Sequence, residues 1–250
     1  MAGTLHILDT VESTNNHAIQ QIRNGNASHG DAWMAMVQTQ GKGQRNRHWE
    51  SLPGENILMS VVVRPGFLDR MSPFLFQALV AIACRDFLAK HIEIDVYVKW
   101  PNDIIINDRK AGGVLIENIY RGNSWDWAVV GLGINVNQVE FGGLSEKATS
   151  MKLALGKQYE VNELADGLRS FIISFLHKNE SCSLEERLNL YQNVMYRLGS
   201  KVLFDQDGKK FHAIVLGVNQ EGELRVEIDQ KEQRWRHGMV NWLLNDAQNI

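Results

Sequence analysis

Apolar positions alternate with polar ones in some stretches of this chain and recur at helical spacing in others. The switches between the two periods divide the sequence into elements. Leu5 to Leu8 predicts a short first strand, and Ser13 or Thr14 is placed to cap a helix through Arg23, with Gly25 as its stop. Ala32 to Thr39 alternates as a strand, and a Gly-rich polar stretch from Gln40 to Gly54 follows. Asn56 to Val63, apolar and β-branched, predicts the next strand, ended by Pro65-Gly66. Pro73 to Lys90 has the spacing of a long buried helix. Three extended runs come next: Val96 to Trp100, Asp103 to Asn107 and Lys110 to Tyr120. Asn107-Asp108-Arg109 forms a tight turn between the last two, and Arg121-Gly122-Asn123 turns the chain into Trp127 to Ile134. Strands joined by turns rather than helices argue for the α+β class, with a mixed, hairpin-rich central sheet flanked by helices.

Asn162 to Lys178 and Leu184 to Arg197 carry amphipathic helical patterns. From Gly199 the character changes. Short alternating runs (Lys201 to Phe204, Phe211 to Val218, Leu224 to Ile228, Gln233 to His237) are separated by closely spaced turn sequences, the signature of a small β-barrel. The expected division is a main domain over residues 1–198 and a barrel over 199–250. At 44% hydrophobic and 22% charged, the chain can bury a sizeable core. A net charge of −3 argues against a constitutive nucleic-acid binder. Cys84 and Cys182 lie far apart in apolar, helix-like stretches and read as buried free thiols of a reducing compartment. The first residues lack the basic flank and apolar run of a signal peptide, and no stretch is long and apolar enough to span a membrane. The reading is therefore a cytoplasmic protein without membrane or nucleic-acid partners.

Four constellations could carry chemistry. In Gly41-Lys42-Gly43-Gln44-Arg45-Asn46-Arg47-His48-Trp49, glycines let backbone N–H groups approach an anion beside three cationic side chains. That combination suits a triphosphate, though a solvated basic loop has the same composition. In Lys99-Trp100-Pro101-Asn102-Asp103, Pro101 breaks the strand so that Lys99 and Asn102-Asp103 can converge. A lysine there suits phosphate and a carboxylate plus amide suits hydrated Mg²⁺, while an ordinary strand-turn-strand with a buried Trp explains the pattern equally well. Lys110 heads a strand with Gly112 and Gly113, where glycine marks a close approach or merely a bulge. Gly131-Leu132-Gly133-Ile134-Asn135 ends another strand in glycines and an amide, to read a nucleotide or to cap a turn. Ser13-Thr14-Asn15 by itself is a helix cap. The chain has no P-loop, no dinucleotide fingerprint, no zinc-ligand spacing and no nucleophile elbow.

Read in order, Glu12-Ser13-Thr14-Asn15, Gln38, GKGQRNRHW, KWPNDI, Lys110-x-Gly-Gly-x-Leu-x-Glu and GLGINVN resemble the biotin protein ligase family from about residue 5 to residue 140. The terminal barrel looks like that family's SH3-like end domain. The resemblance implies two steps: biotin's carboxylate attacks the α-phosphate of ATP, and a lysine of a biotin carboxyl carrier protein then takes the biotinyl group, releasing AMP. It also implies roles. Ser13, Thr14 and Gln38 would hold the ureido head of biotin, with Asn15, Lys42, Gly43, Gln44, Trp49, Gly113, Gly131 and Gly133 also in the biotin site. Lys110 would neutralise the reacting carboxylate and phosphate, assisted by Arg45 and Lys42. Arg45, Arg47, Lys99, Asn102 and Asn135 would bind ATP, and Asp103 with Asn102 would organise Mg²⁺. Lys42, Gln44 and Asn46 depart from residues usual in the family, and Asn46 can still adopt the left-handed conformation, though less freely than glycine. The start of the chain leaves no helix-turn-helix, so no repressor role is expected; a homodimer stays open. Two other readings remain: a lipoate or octanoate ligase or transferase of the same fold, and a non-catalytic biotin-binding protein.

Overall fold

The computed structural model describes residues 3–68 and 71–244, so the expected end of the second domain at residue 250 lies outside them. Strand β1 (Leu5–Val11) passes through helix α1 (Thr14–Arg23) into β2 (Ala32–Gln38), which lies parallel to it. The chain continues with β3 (Asn56–Val63), α2 (Pro73–Ala89), β4 (Val96–Lys99), β5 (Asp103–Ile106), β6 (Arg109–Arg121) and β7 (Ser124–Asn135). These strands form a seven-stranded sheet in the order β1-β2-β3-β7-β6-β5-β4, antiparallel after the first pair. The sheet is mixed and the class α+β, as the pattern predicts.

Side-chain alternation divides the central strands between two layers. Ile57, Met59, Val61 and Val63 of β3 join Val130, Leu132 and Ile134 of β7 in the main core, against α2 and the later α4 (Val161–Lys178). α2 is apolar nearly all round, and its buried residues include Leu75, Phe76, Leu79, Ile82 and Leu88, as expected of a helix covered on several sides. Ser72 caps its N-terminus and Pro73 occupies the first turn, where its missing N–H costs nothing. On the opposite face α1 sets Ala18 against Trp33, Val62, Trp127 and Val129. That second face is left partly open, and the polar strand positions lie on it.

After α3 (Met151–Leu155) and α4, α5 (Leu184–Asn193) begins with a full capping box between Ser183 and Glu186. The helical pattern continues to Arg197, but the helix stops at Asn193. Val98 of β4 donates to the Val194 carbonyl and accepts from the Tyr196 amide, drawing this segment into strand-like pairing. Cys84 is buried in α2 as expected, whereas Cys182 sits half-buried in the turn between α4 and α5, not within a helix. The second sheet comprises β8 (Lys201–Gln206), β9 (Lys209–Val218), β10 (Leu224–Ile228), β11 (Lys231–Trp235) and β12 (Asn241–Trp242), in the order β11-β10-β9-β8-β12. Phe204, Trp235 and Trp242 fill it, and Trp100 joins it to the first sheet by donating its indole N–H to the Gly222 carbonyl at 3.0 Å. Among the described residues, no helix is long and apolar enough to cross a membrane.

Candidate active site

Three glycines clear the open face of the sheet. One hydrogen-bonded row runs Leu58-Gly133-Gly113-Asp103 across β3, β7, β6 and β5. A neighbouring row runs Ser60-Gly131-Leu115. Trp49 lies on Gly133, where a Cβ would come within 2.6 Å of its ring, and a Cβ on Gly131 would collide with the Asn15 side chain. These glycines are a floor over which other side chains lie flat, the close approach that justifies glycine in a strand.

A register shift between Ile104 and Ile105 inserts one extra residue in β6 opposite β5. That bulge changes the alternation. Lys110 and Gly113 consequently share a face, with the Lys110 Nζ 3.4 Å from where a Gly113 Cβ would stand. Lys110 is half-exposed and forms a 2.6 Å ion pair with Asp103 Oδ1, while the more deeply placed Lys99 reaches Asp103 Oδ2 at 3.7 Å. Burial alone would raise the Asp103 carboxyl; Lys110 and Lys99 together hold it below its ordinary value. Burial lowers the Lys99 ammonium, an effect that Asp103 partly offsets. The outcome is one carboxylate between two ammonium groups, a locally cationic spot beside the glycine floor. The Lys110 ammonium also lies 5.6 Å from the centre of the Trp49 ring, and the buried Trp49 indole N–H has no partner.

The start of α1 forms the polar end of the site. Ser13 occupies the cap position but makes no capping hydrogen bond, so its buried hydroxyl is not spent as a simple cap reading requires. Gln38 Oε1 accepts from the Thr14 backbone N–H at 2.7 Å and contacts the Thr14 hydroxyl at 3.1 Å. Asn15 donates to Glu117 at 2.7 Å, and Ser60 contacts both Asn15 Oδ1 at 2.6 Å and Thr14 Oγ1 at 2.7 Å. Sequence reasoning selects Ser13, Thr14, Asn15 and Gln38, includes Glu117 in the Lys110 motif without giving it a role, and misses Ser60. The available signal is weak: a single hydroxyl within the apolar run NILMSVVV, and a single carboxylate at the end of AGGVLIE.

The basic loop closes the site from above. Gly43 and Arg47 bond through their backbones, and Lys42 donates to Asn16 Oδ1 at 2.6 Å. The residue in the left-handed region is Arg45 (φ 58°, ψ 44°), where the sequence suggests Asn46. Its guanidinium donates to the His237 and Gly238 carbonyls of the second sheet's connecting turn, at 3.0 and 2.9 Å. Gly238, at φ +94°, has no room for a Cβ, because the guanidinium fills that position. The loop is thus tied to the barrel, a contact that sequence reasoning does not foresee. His237 also stacks edge-on against Trp100 at 5.6 Å, and partial burial with the nearby Arg45 charge lowers its pKa. Arg47 is exposed, and its charge acts on both Lys99 and His237. Gln44 faces a cleft of about 290 Å³ shared with Pro101, Asn118 and His237.

Two expected ligand contacts are engaged in holding the fold. Asn135 donates to the Thr149 carbonyl at 2.9 Å, and Asn102 donates to the Val114 carbonyl. The proposed Mg²⁺ pair does not fit a protein-held cation. Asp103 is already neutralised twice over, the Asn102 amide braces β6, and no group of three or more His, Cys, Asp or Glu side chains capable of holding a metal exists among the described residues.

Comparison with known proteins places this geometry. The family model described as the Biotin/lipoate A/B protein ligase family matches residues 7–135, which include every residue of the floor, the ion-pair cluster and the polar end. The chain is 28% identical over 229 residues to the Bifunctional ligase/repressor BirA of Bacillus subtilis, covering 89% of this chain and 69% of that protein. It is 25% identical over 201 residues to the Biotin--[acetyl-CoA-carboxylase] ligase of Paracoccus denitrificans, covering 78% and 83% of the two chains. Among solved structures it resembles the biotin protein ligase from Aquifex aeolicus in complex with biotin and ATP, with a TM-score of 0.80, 25% identity, and coverage of 96% of this chain and 99% of that one.

Proposed function

The chain belongs to the biotin/lipoate A/B protein ligase family, and from that premise we propose how its site works as that of an ATP-dependent biotin protein ligase. Biotin lies against the side chains that rest on the glycine floor, Trp49 on Gly133 and Asn15 on Gly131, with its ureido head at Ser13, Thr14 and Gln38. Its carboxylate reaches Lys110, which also meets the α-phosphate of ATP. The carboxylate oxygen bonds to the α-phosphorus, pyrophosphate leaves, and the ε-amino group of an acceptor lysine later displaces AMP from the mixed anhydride. The observation that carries this reading is the Lys99-Asp103-Lys110 cluster beside Gly113. Two ammonium groups preorganised around one carboxylate leave excess positive charge where negative charge develops, the arrangement that lowers the barrier of an acyl-phosphate exchange.

Arg45 and Arg47 supply further charge for the phosphates, and Trp49 covers the ring system. Asn135 and Asn102 support walls of the nucleotide site through their bonds to Thr149 and Val114. Among the described residues, no group of three or more His, Cys, Asp or Glu side chains is placed to hold Mg²⁺. We propose a biotin carboxyl carrier domain as acceptor, a catalytic unit over residues 1–198, and a barrel over 199–250 that assists through the Arg45 contact. The buried free thiol of Cys84 suits the cytoplasm. The test is ATP–pyrophosphate exchange with biotin and, separately, with lipoate. Exchange with biotin supports the reading; exchange with lipoate alone refutes it.

A further inference from the structure

The polar end of the site is short of one proton. Three oxygen–oxygen contacts, Ser60–Asn15 Oδ1, Ser60–Thr14 and Thr14–Gln38 Oε1, share only the two hydroxyl protons of Ser60 and Thr14. Asn15 cannot supply a third, because its amide donates to Glu117 Oε2 at 2.7 Å and faces the Leu115 carbonyl at 3.5 Å. A carboxylate only accepts, so Glu117 turns the Asn15 NH₂ toward itself and its oxygen toward Ser60. Ser60 then gives its proton to Asn15, and Thr14 can satisfy Ser60 or Gln38 but not both. The 3.1 Å contact between Thr14 and Gln38 is the longest of the three, and Gln38 Oε1 is held in place by the Thr14 backbone N–H at 2.7 Å.

Resting on the biotin reading, we infer that Glu117 and Ser60 are positioning residues that set ligand specificity: they leave Thr14 and Gln38 one hydrogen-bond donor short, a deficit that a ligand N–H fills and an apolar ring does not. A ureido ring carries such a donor. A dithiolane ring or a plain acyl chain brings none and leaves the oxygens facing each other, a costly arrangement in a buried site. The matching family spans biotin and lipoate ligases, and here discrimination arises from the direction of a hydrogen-bond chain that begins at the Glu117 carboxylate.

The experiment reads biotin-dependent and lipoate-dependent pyrophosphate exchange for the full chain and its variants, with melting temperatures alongside. In Glu117→Gln, the new amide can donate to Asn15, which then turns its own NH₂ toward Ser60 and fills the missing proton. KM for biotin should rise about 5- to 10-fold, the size of one neutral hydrogen bond, with kcat and melting temperature held. Any lipoate-dependent rate should stay level. Asn15→Asp sets two carboxylates face to face and should do worse. The reciprocal pair Asn15→Asp with Glu117→Gln restores the original polarity, so its KM should return toward that of the native chain. If Glu117→Gln does not fold, Ser60→Ala tests the same chain by removing its middle oxygen, with the same rise in KM. A KM for biotin within about 2-fold of native in the folded variant overturns the inference, as does a reciprocal pair no better than Asn15→Asp. Absence of biotin-dependent exchange in the native chain would instead sink the ligase reading itself.

Discussion

Replacing Asp103 by asparagine removes the one carboxylate between two ammonium groups and keeps the shape of the side chain. At an effective dielectric of about 20, the gross attractions are about 6 kcal/mol to Lys110 at 2.6 Å and about 4.5 kcal/mol to Lys99 at 3.7 Å. Neither is a net contribution. The Lys110 side chain is 35% exposed, so water replaces much of that pair, whereas Lys99 at 12% exposure has little water to turn to. The net loss therefore rests on the stranded Lys99 charge and is about 2–4 kcal/mol, or about 5–10 °C in melting temperature for a chain of this size. The pH dependence follows from the depressed Asp103 carboxyl. Its contribution is present in full above the unfolded value of about 4 and fades as pH falls through the lower folded value, so native and variant stabilities should converge in strong acid. Pyrophosphate exchange should drop about 10²-fold, because Lys110 loses its anchor. The Mg²⁺ concentration giving half-maximal rate at fixed ATP should stay unchanged, since Lys110 and Lys99 take up the Asp103 carboxylate. Thermal unfolding across pH and a Mg²⁺ titration of exchange measure all of this. An Asp103→Asn variant of native stability, or one whose magnesium requirement rises severalfold, would refute the reasoning.

Lys110→Ala should lose about 10²-fold in adenylation while remaining folded; near-native exchange would remove Lys110 from the mechanism. Gly133→Ala drives a methyl into Trp49, which must shift or tilt, so KM for biotin should rise about 10-fold or more, and an unchanged KM would mean that the floor is not the biotin surface. Ending the chain at Leu198 removes the His237 and Gly238 carbonyls that hold Arg45, so trypsin should cut after Arg45 faster than in the full chain, measured as the first-order rate of loss of intact protein. Equal rates in the two proteins would show that the barrel does not secure the loop.

The parts of the fold legible in the sequence are those governed by local pattern. Asn56–Val63 falls where its apolar, β-branched run puts it and Leu224–Ile228 where its alternation does, and the Asn107-Asp108 turn shows the positive φ values expected of those residue types. Misses occur where partners distant in sequence decide the outcome. The helix from Leu184 ends early because β4 recruits residues 194–196, and α3 is too short to leave a periodic trace. The site divides in the same way. Its cations and glycines announce themselves as motifs, but Ser60 looks like an ordinary strand residue, and Glu117 closes a motif without a role until it meets Asn15. The charge density of the basic loop suggests mobility, and the contact that limits it lies 193 residues away.

The two ends of the site can be related by the sheet itself. Ser60 lies on β3, and Asp103 on β5, three strand spacings away across β7 and β6. At about 4.8 Å per spacing that is about 14 Å, a span suited to a fused bicycle carrying a four-methylene carboxylate and too long for the head and the acid of a compact substrate to reach together. The glycines fall between these ends, at Gly131 and Gly133 on β7 and Gly113 on β6. A side chain at any of the three would push Trp49, Asn15 or Lys110 off its seat and into the ligand's path. The bulge before Gly112 belongs to the same design, because without it Lys110 would point into the core beside Val114 and the span would end on no cation. Polar head, floor and cation thus depend on one sheet register, and a one-residue slip of β6 against β7 would dismantle all three.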